Sequence, residues 1–218
     1  MARIVEKAPD RKAILIEQLK KGEDPYPVTL EIHPTDTCNQ RCAYCYFGGR
    51  DYKPRRNDLK MGAKEYQGLF VEMASLGIIE LKITGGGEPL LHPQMKEILR
   101  NAREAGLIIR LTTNGNFLNE DIREELRGSR KVRISIDTIN PETYKKLRQV
   151  DPALLEQTIR NLKGLIELRN QHGSRPGIEI ALLLNKLNYN EVEDFCRYME
   201  RLGVDRIIIR HDLFDKHN

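Results

Sequence analysis

Six apolar runs rich in β-branched residues recur along this chain, at residues 28–32, 78–84, 107–112, 131–136, 178–184 and 204–209. Helical stripes fill the gaps between them. Tyr66, Leu69, Phe70 and Met73 keep helical spacing, as do Met95, Ile98, Leu99 and Ala102, and Leu155, Ile159, Leu162 and Ile166. Val192, Phe195, Cys196 and Met199 form a fourth stripe. Gly77, Gly106, Gly128 and Gly203 each stand between a helix and the next strand, as C-terminal caps do. Asn190 followed by Glu193 reads as a capping box opening the last helix. Strand–helix alternation implies parallel strands with right-handed crossovers, so the fold class is α/β. Periodicity leaves two forms open, a barrel and a doubly wound open sheet. A helical stretch at residues 11–20 precedes the first strand. Residues 1–27 therefore read as an N-terminal extension with a helix, and residues 28–218 as the core domain.

Composition narrows the class. Hydrophobic residues at 39% and charged residues at 31% describe a soluble globular protein, and a formal charge of +4 makes a nucleic-acid partner unlikely. No apolar run is long enough to span a membrane. The N-terminus lacks an apolar signal core, which predicts a cytoplasmic location.

Three of the four cysteines lie in one run, Cys38-Asn-Gln-Arg-Cys42-Ala-Tyr-Cys45, just after the first predicted strand. Three thiolates on a short loop can hold three irons of a four-iron cluster. The fourth iron is then left open to a small molecule, whereas simple electron-storing clusters usually have four cysteine ligands. The rival is a structural zinc completed by His33. Zinc sites more often bring their ligands as two separated pairs. Cys196 sits on a buried helical stripe and reads as a small core residue.

The C-x3-C-x2-C motif after a first strand resembles the radical S-adenosylmethionine (radical SAM) enzymes. Thr84-Gly-Gly-Gly-Glu88-Pro resembles that family's Gly-Gly-Glu segment after strand two. Thr112-Thr-Asn114-Gly resembles its polar end of strand three, and Ser135-Ile-Asp137 with Arg148 its strand-four region. These motifs occur in the family's order across most of the chain. The resemblance selects a six-stranded parallel partial (β/α)6 barrel. It implies a [4Fe-4S] cluster on Cys38, Cys42 and Cys45, with S-adenosyl-L-methionine on the open iron. By the same resemblance Tyr44 lies near the adenine, and Gly85, Gly86, Gly87 and Glu88 line the amino end of the cofactor. Asn114, Ser135 and Asp137 serve its carboxylate and ribose hydroxyls, and Arg148 pairs with the carboxylate. Each residue has a plainer reading. Asn114-Gly115 is also an ordinary turn, Tyr44 a packing residue, and Arg148 a solvated helix residue.

The implied reaction is reductive cleavage of S-adenosylmethionine to a 5′-deoxyadenosyl radical, which takes hydrogen from a peptide, sugar or small metabolite. An electron donor such as flavodoxin or ferredoxin is implied with it. Two rivals stand beside this reading: an activase that installs a glycyl radical on a partner enzyme, and a non-enzymatic metal-binding scaffold or sensor. Lys53, Arg55, Arg56 and Lys60 could dock an acidic flavodoxin-like reductant, meet a phosphorylated substrate or simply be solvated. Arg210, His211 and Asp212, after the sixth strand, could face the substrate. The chain stops nine residues after Ile209 (218 minus 209). That predicts no auxiliary cluster and a barrel mouth without a lid.

Overall fold

The structure is a computed structural model that describes residues 11–23, 27–47, 61–173 and 176–211. One sheet of six parallel strands runs in sequence order: β1 (Thr29–Ile32), β2 (Glu80–Ile83), β3 (Ile108–Thr113), β4 (Lys131–Ser135), β5 (Gly177–Leu184) and β6 (Arg206–His211). Strands β1 and β6 are its two edges, so the barrel is partial and open. Helix α1 (Arg11–Lys20) precedes β1. Helices α2 (Ala63–Ser75), α3 (Met95–Glu104), α4 (Glu120–Glu125), α5 (Pro141–Arg148), α6 (Ala153–His172) and α7 (Val192–Leu202) connect the strands. Lys53, Arg55, Arg56, Lys60 and Asp212 lie outside the described residues.

Period-two alternation gives the sheet two chemically different faces. Ile83, Leu111, Val132 and Ile178 lie side by side in register and are almost fully buried. They join the apolar stripes of the helices in one core, including Met95, Ile98, Leu99 and Ala102 of α3. Burying each larger side chain of this kind contributes about 1.5–3 kcal/mol. The opposite, concave face is charged toward the strands' amino ends. Glu179, 3% exposed, is surrounded by Lys131 at 2.5 Å, Arg133 at 2.8 Å and Arg206 at 3.3 Å. Glu80 takes Arg110 at 3.1 Å. Further along, the same face carries Thr84, Thr112, Ser135, Ala181 and Arg210, which border a cavity at the carboxyl ends.

Gly77, Gly106, Gly128 and Gly203 all have φ between +80° and +87°. Gly203 is the left-handed cap of α7, a conformation only glycine adopts without strain. The capping box at Asn190 does not form. Asn190 lies inside a short 3-10 turn, Tyr189–Glu191, and the N-cap of α7 is Glu191, which makes no side-chain capping bond. Its carboxylate is engaged instead by the hydroxyls of Thr138 and Thr143 from the β4–α5 segment.

Candidate active site

The loop that carries the cysteines leaves β1 and crosses the carboxyl end of the sheet. Two of its amides are tied to the last turn of α5. Arg41 N donates to Arg148 O at 3.0 Å and Ala43 N to Leu147 O at 2.8 Å. Helix C-terminal carbonyls need such partners, and here the loop supplies them. Helix α5 starts at Pro141 because Asn140 caps it, accepting from Glu142 N at 2.9 Å.

A polar network holds the loop from below. Gln40, 6% exposed, donates to Asn116 Oδ1 and to Tyr144 Oη, both at 2.9 Å. Asn39 donates to the same Asn116 oxygen at 2.7 Å, and Asn114 Nδ2 donates to Asn39 Oδ1 at 2.7 Å. Asn116 in turn donates to Thr158 Oγ1 at 2.7 Å and to Leu154 O at 3.0 Å.

The glycine segment packs directly on the cysteine loop. Gly87 N donates to Thr35 O at 3.2 Å, and Glu88 N to Thr37 O at 2.9 Å. A Cβ on Gly87 would lie 2.2 Å from Thr37 O, so no other residue fits there without moving the loop. At Gly86 it would meet Asp36 Oδ1 at 2.9 Å, and at Gly85 it would make only ordinary contacts at 3.4 Å. The Glu88 carboxylate faces the protein. Its oxygens accept from Leu90 N at 3.0 Å, Thr113 Oγ1 at 2.6 Å and Asn114 N at 2.7 Å. Burial pushes its pKa up, against these three donors.

At the end of β4 lies a buried ion pair. Arg148 Nη2 stands 2.8 Å from Asp137 Oδ2. Asp137 also accepts from Leu183 N at 2.9 Å and from the Tyr44 hydroxyl. The Tyr44 ring lies under the guanidinium, 5.7 Å from the arginine carbon to its centroid. Ser135 gives its carbonyl to Arg148 Nη2 at 2.8 Å, and its hydroxyl has no partner among the described residues.

All twelve residues singled out in the sequence line one cavity of about 300 Å³. These are Cys38, Cys42, Cys45, Tyr44, Gly85, Gly86, Gly87, Glu88, Asn114, Ser135, Asp137 and Arg148. Gln40, Phe47, Thr113 and Leu183 also border it and were not anticipated. Gln40 stood inside the cysteine motif, but nothing in its spacing marked it as buried. Arg210 reaches the wall from β6, and the plain reading of Arg148 as a solvated residue fails because it is 4% exposed.

Three cysteine sulfurs that share one cavity are the donor chemistry a four-iron cluster takes. His33, the fourth ligand of the zinc reading, is on the surface with Glu31 at 3.2 Å. Burial raises the Cys38 thiol to about 11, and burial also raises that of Cys42 despite the nearby Arg148. A cationic metal centre favours the thiolate form of a cysteine that ligates it.

A parallel α/β partial barrel with a three-cysteine loop over the carboxyl ends of its strands defines a class of cofactor-dependent proteins. Residues 32–199 match the family model described as the Radical SAM superfamily, and the chain belongs to that superfamily. A probable GTP 3′,8-cyclase of Pyrobaculum aerophilum is 35% identical over 151 residues, covering 69% of this chain and 44% of that protein. That of Methanocaldococcus jannaschii is 32% identical over 178 residues, covering 80% and 56%. The chain thus spans about half the length of these curated relatives. Among solved structures, SuiB of Streptococcus suis bound to S-adenosylmethionine superimposes with a TM-score of 0.71 at 19% identity, covering 92% of this chain and 44% of that one. Native anSMEcpe with bound AdoMet gives 0.64 at 18%, covering 85% and 52%. No helix among the described residues is long and apolar enough to cross a membrane.

Proposed function

We propose that this chain is a radical SAM enzyme in which Cys38, Cys42 and Cys45 hold a [4Fe-4S] cluster and the adjoining cavity takes S-adenosylmethionine. The observation that supports it best is the convergence of the cysteine loop with the ends of β2, β3 and β4 on one cavity. When bound, cluster and cofactor supply one-electron cleavage to a 5′-deoxyadenosyl radical and hydrogen abstraction, the cofactor carrying the hard chemistry. The protein's share is placement. Gly85 to Gly87 keep side-chain atoms out of the space beside the cysteine loop. Ser135 offers an unpartnered hydroxyl, and Tyr44 and Asp137 offer an aromatic face and a carboxylate at the cavity wall. The electron comes from a flavodoxin- or ferredoxin-like donor. Because the matched relatives are named GTP 3′,8-cyclases, GTP is the first substrate to try.

The test is anaerobic reconstitution followed by iron and sulfide analysis, with chromatography for 5′-deoxyadenosine after adding a strong reductant, with and without GTP. About four irons per chain are expected, lost in Cys38→Ala, Cys42→Ala and Cys45→Ala and kept in Cys196→Ala. Full iron retention in Cys42→Ala, or no 5′-deoxyadenosine from a fully loaded protein, would sink the reading.

A further inference from the structure

The resemblance gives Arg148 to the cofactor's carboxylate, but both its terminal nitrogens are already engaged within the protein. Nη1 donates to Gln40 Oε1 at 3.1 Å and to Cys42 Sγ at 3.5 Å. Nη2 donates to Ser135 O at 2.8 Å and stands in an ion pair with Asp137 Oδ2, also at 2.8 Å. A guanidinium has five N–H groups. Three are donated in hydrogen bonds, the ion pair with Asp137 further engages Nη2, and Nε has no partner. Both terminal nitrogens that would grip a carboxylate are therefore engaged, Nη2 already beside one. Its main-chain oxygen is used as well, by Arg41 N inside the cysteine motif. The side chain is 4% exposed, so the arrangement is a fixed part of the core and not a surface arm.

Resting on the cluster assignment above, we propose that Arg148 is a positioning residue of the cluster and not a ligand of S-adenosylmethionine. It donates a hydrogen bond to the Cys42 sulfur and sets the reduction potential through that bond and its charge. A donor on a ligating sulfur, with a positive charge beside it, stabilises the more negative reduced cluster. Asp137 fixes the guanidinium in this pose. The Tyr44 ring beneath it and the Gln40 oxygen leave it no second orientation of equal quality.

The first experiment reads the contact directly by isotope labelling. Protein grown with guanidino-15N arginine is reconstituted, reduced and studied by pulsed EPR. A 15N coupling to the cluster is expected in the native chain and in Arg41→Lys, and its loss in Arg148→Lys. The second reads the midpoint potential by EPR-monitored titration, and S-adenosylmethionine affinity by calorimetry. Arg148→Lys, and the charge-neutral Arg148→Gln/Asp137→Asn, should both move the midpoint to lower potential. Arg148→Lys should hold the cofactor within about threefold of the native affinity. A cluster without 15N coupling in the native chain overturns the proposal. So does an unmoved midpoint in Arg148→Lys with a tenfold or greater loss of cofactor affinity, which would return Arg148 to the carboxylate. Absence of any cluster in the native chain is a different failure, that of the cluster assignment itself.

Discussion

Arg148 and Asp137 meet at 2.8 Å with 4% and 2% of their surfaces exposed, on the wall that also carries Cys42. Removing one partner of such a pair strands the other charge away from water. Asp137→Ala is expected to lower stability by about 3–5 kcal/mol. Asp137→Asn should cost less, because its amide oxygen still accepts from Leu183 N. Urea unfolding of the metal-free chains measures both. Equal midpoints for Asp137→Ala and the native protein would contradict the burial of the pair.

Gly87 and Gly85 are two residues apart and should respond differently. Gly87→Ala places a methyl 2.2 Å from Thr37 O, on the backbone that leads into Cys38. We expect it to lose most of its iron after reconstitution, with overpacking costing about 1–3 kcal/mol. Gly85→Ala meets its nearest atoms at 3.4 Å and should fold and load iron normally. Iron analysis and thermal melts of both variants decide the point.

Glu88→Gln tests whether the acid works as a brace. The carboxylate accepts from three donors, and an amide replaces one acceptor oxygen with a donor. At least one N–H or O–H is left facing another donor, at about 1–3 kcal/mol. The expected result is a lower urea midpoint with an unchanged slope.

The floor of the concave face should report on acid. Burial pushes the Glu179 carboxyl up, but hydrogen bonds from Lys131 and Arg133 outweigh it and hold the group below its ordinary 4.5. A depressed acid stabilises the fold above its unfolded pKa and loses that contribution as pH falls through its folded value. Unfolding free energy should therefore drop as pH goes below 4.5. Glu179→Gln should flatten that part of the profile while being weaker than the native chain at neutral pH. A profile unchanged by the substitution would show that the ion pairs do not couple to folding.

The strands, the long helices and the cavity wall were legible because each rests on a local pattern. Helix α4 has the sequence Glu-Asp-Ile-Arg-Glu-Glu, too polar to show a stripe, and α5 shows only Tyr144 and Leu147 as apolar faces. Their N-caps, Asn119 and Asn140 before Pro141, were the signals available. The Asn39–Gln40–Asn116 network has no period at all, since Asn116 lies more than 70 residues from the other two. Arg148 and Asp137 were both singled out, but their pairing with one another was not. Sequence order cannot show that two polar residues satisfy one another. The misplaced cap at Asn190 has the same origin, because Glu191 answers to threonines in another loop.

The cysteine loop leans on the end of α5, through Arg41 and Ala43 to the Arg148 and Leu147 carbonyls, and Gln40 reaches Arg148 across 108 positions. A nascent chain that has emerged only through its three cysteines therefore lacks the scaffold that orders them. The loop's hydrogen-bond partners are all in place only once β4 and α5 have formed and docked. Ordering of the cysteine loop is thereby made a late event in the folding of the chain.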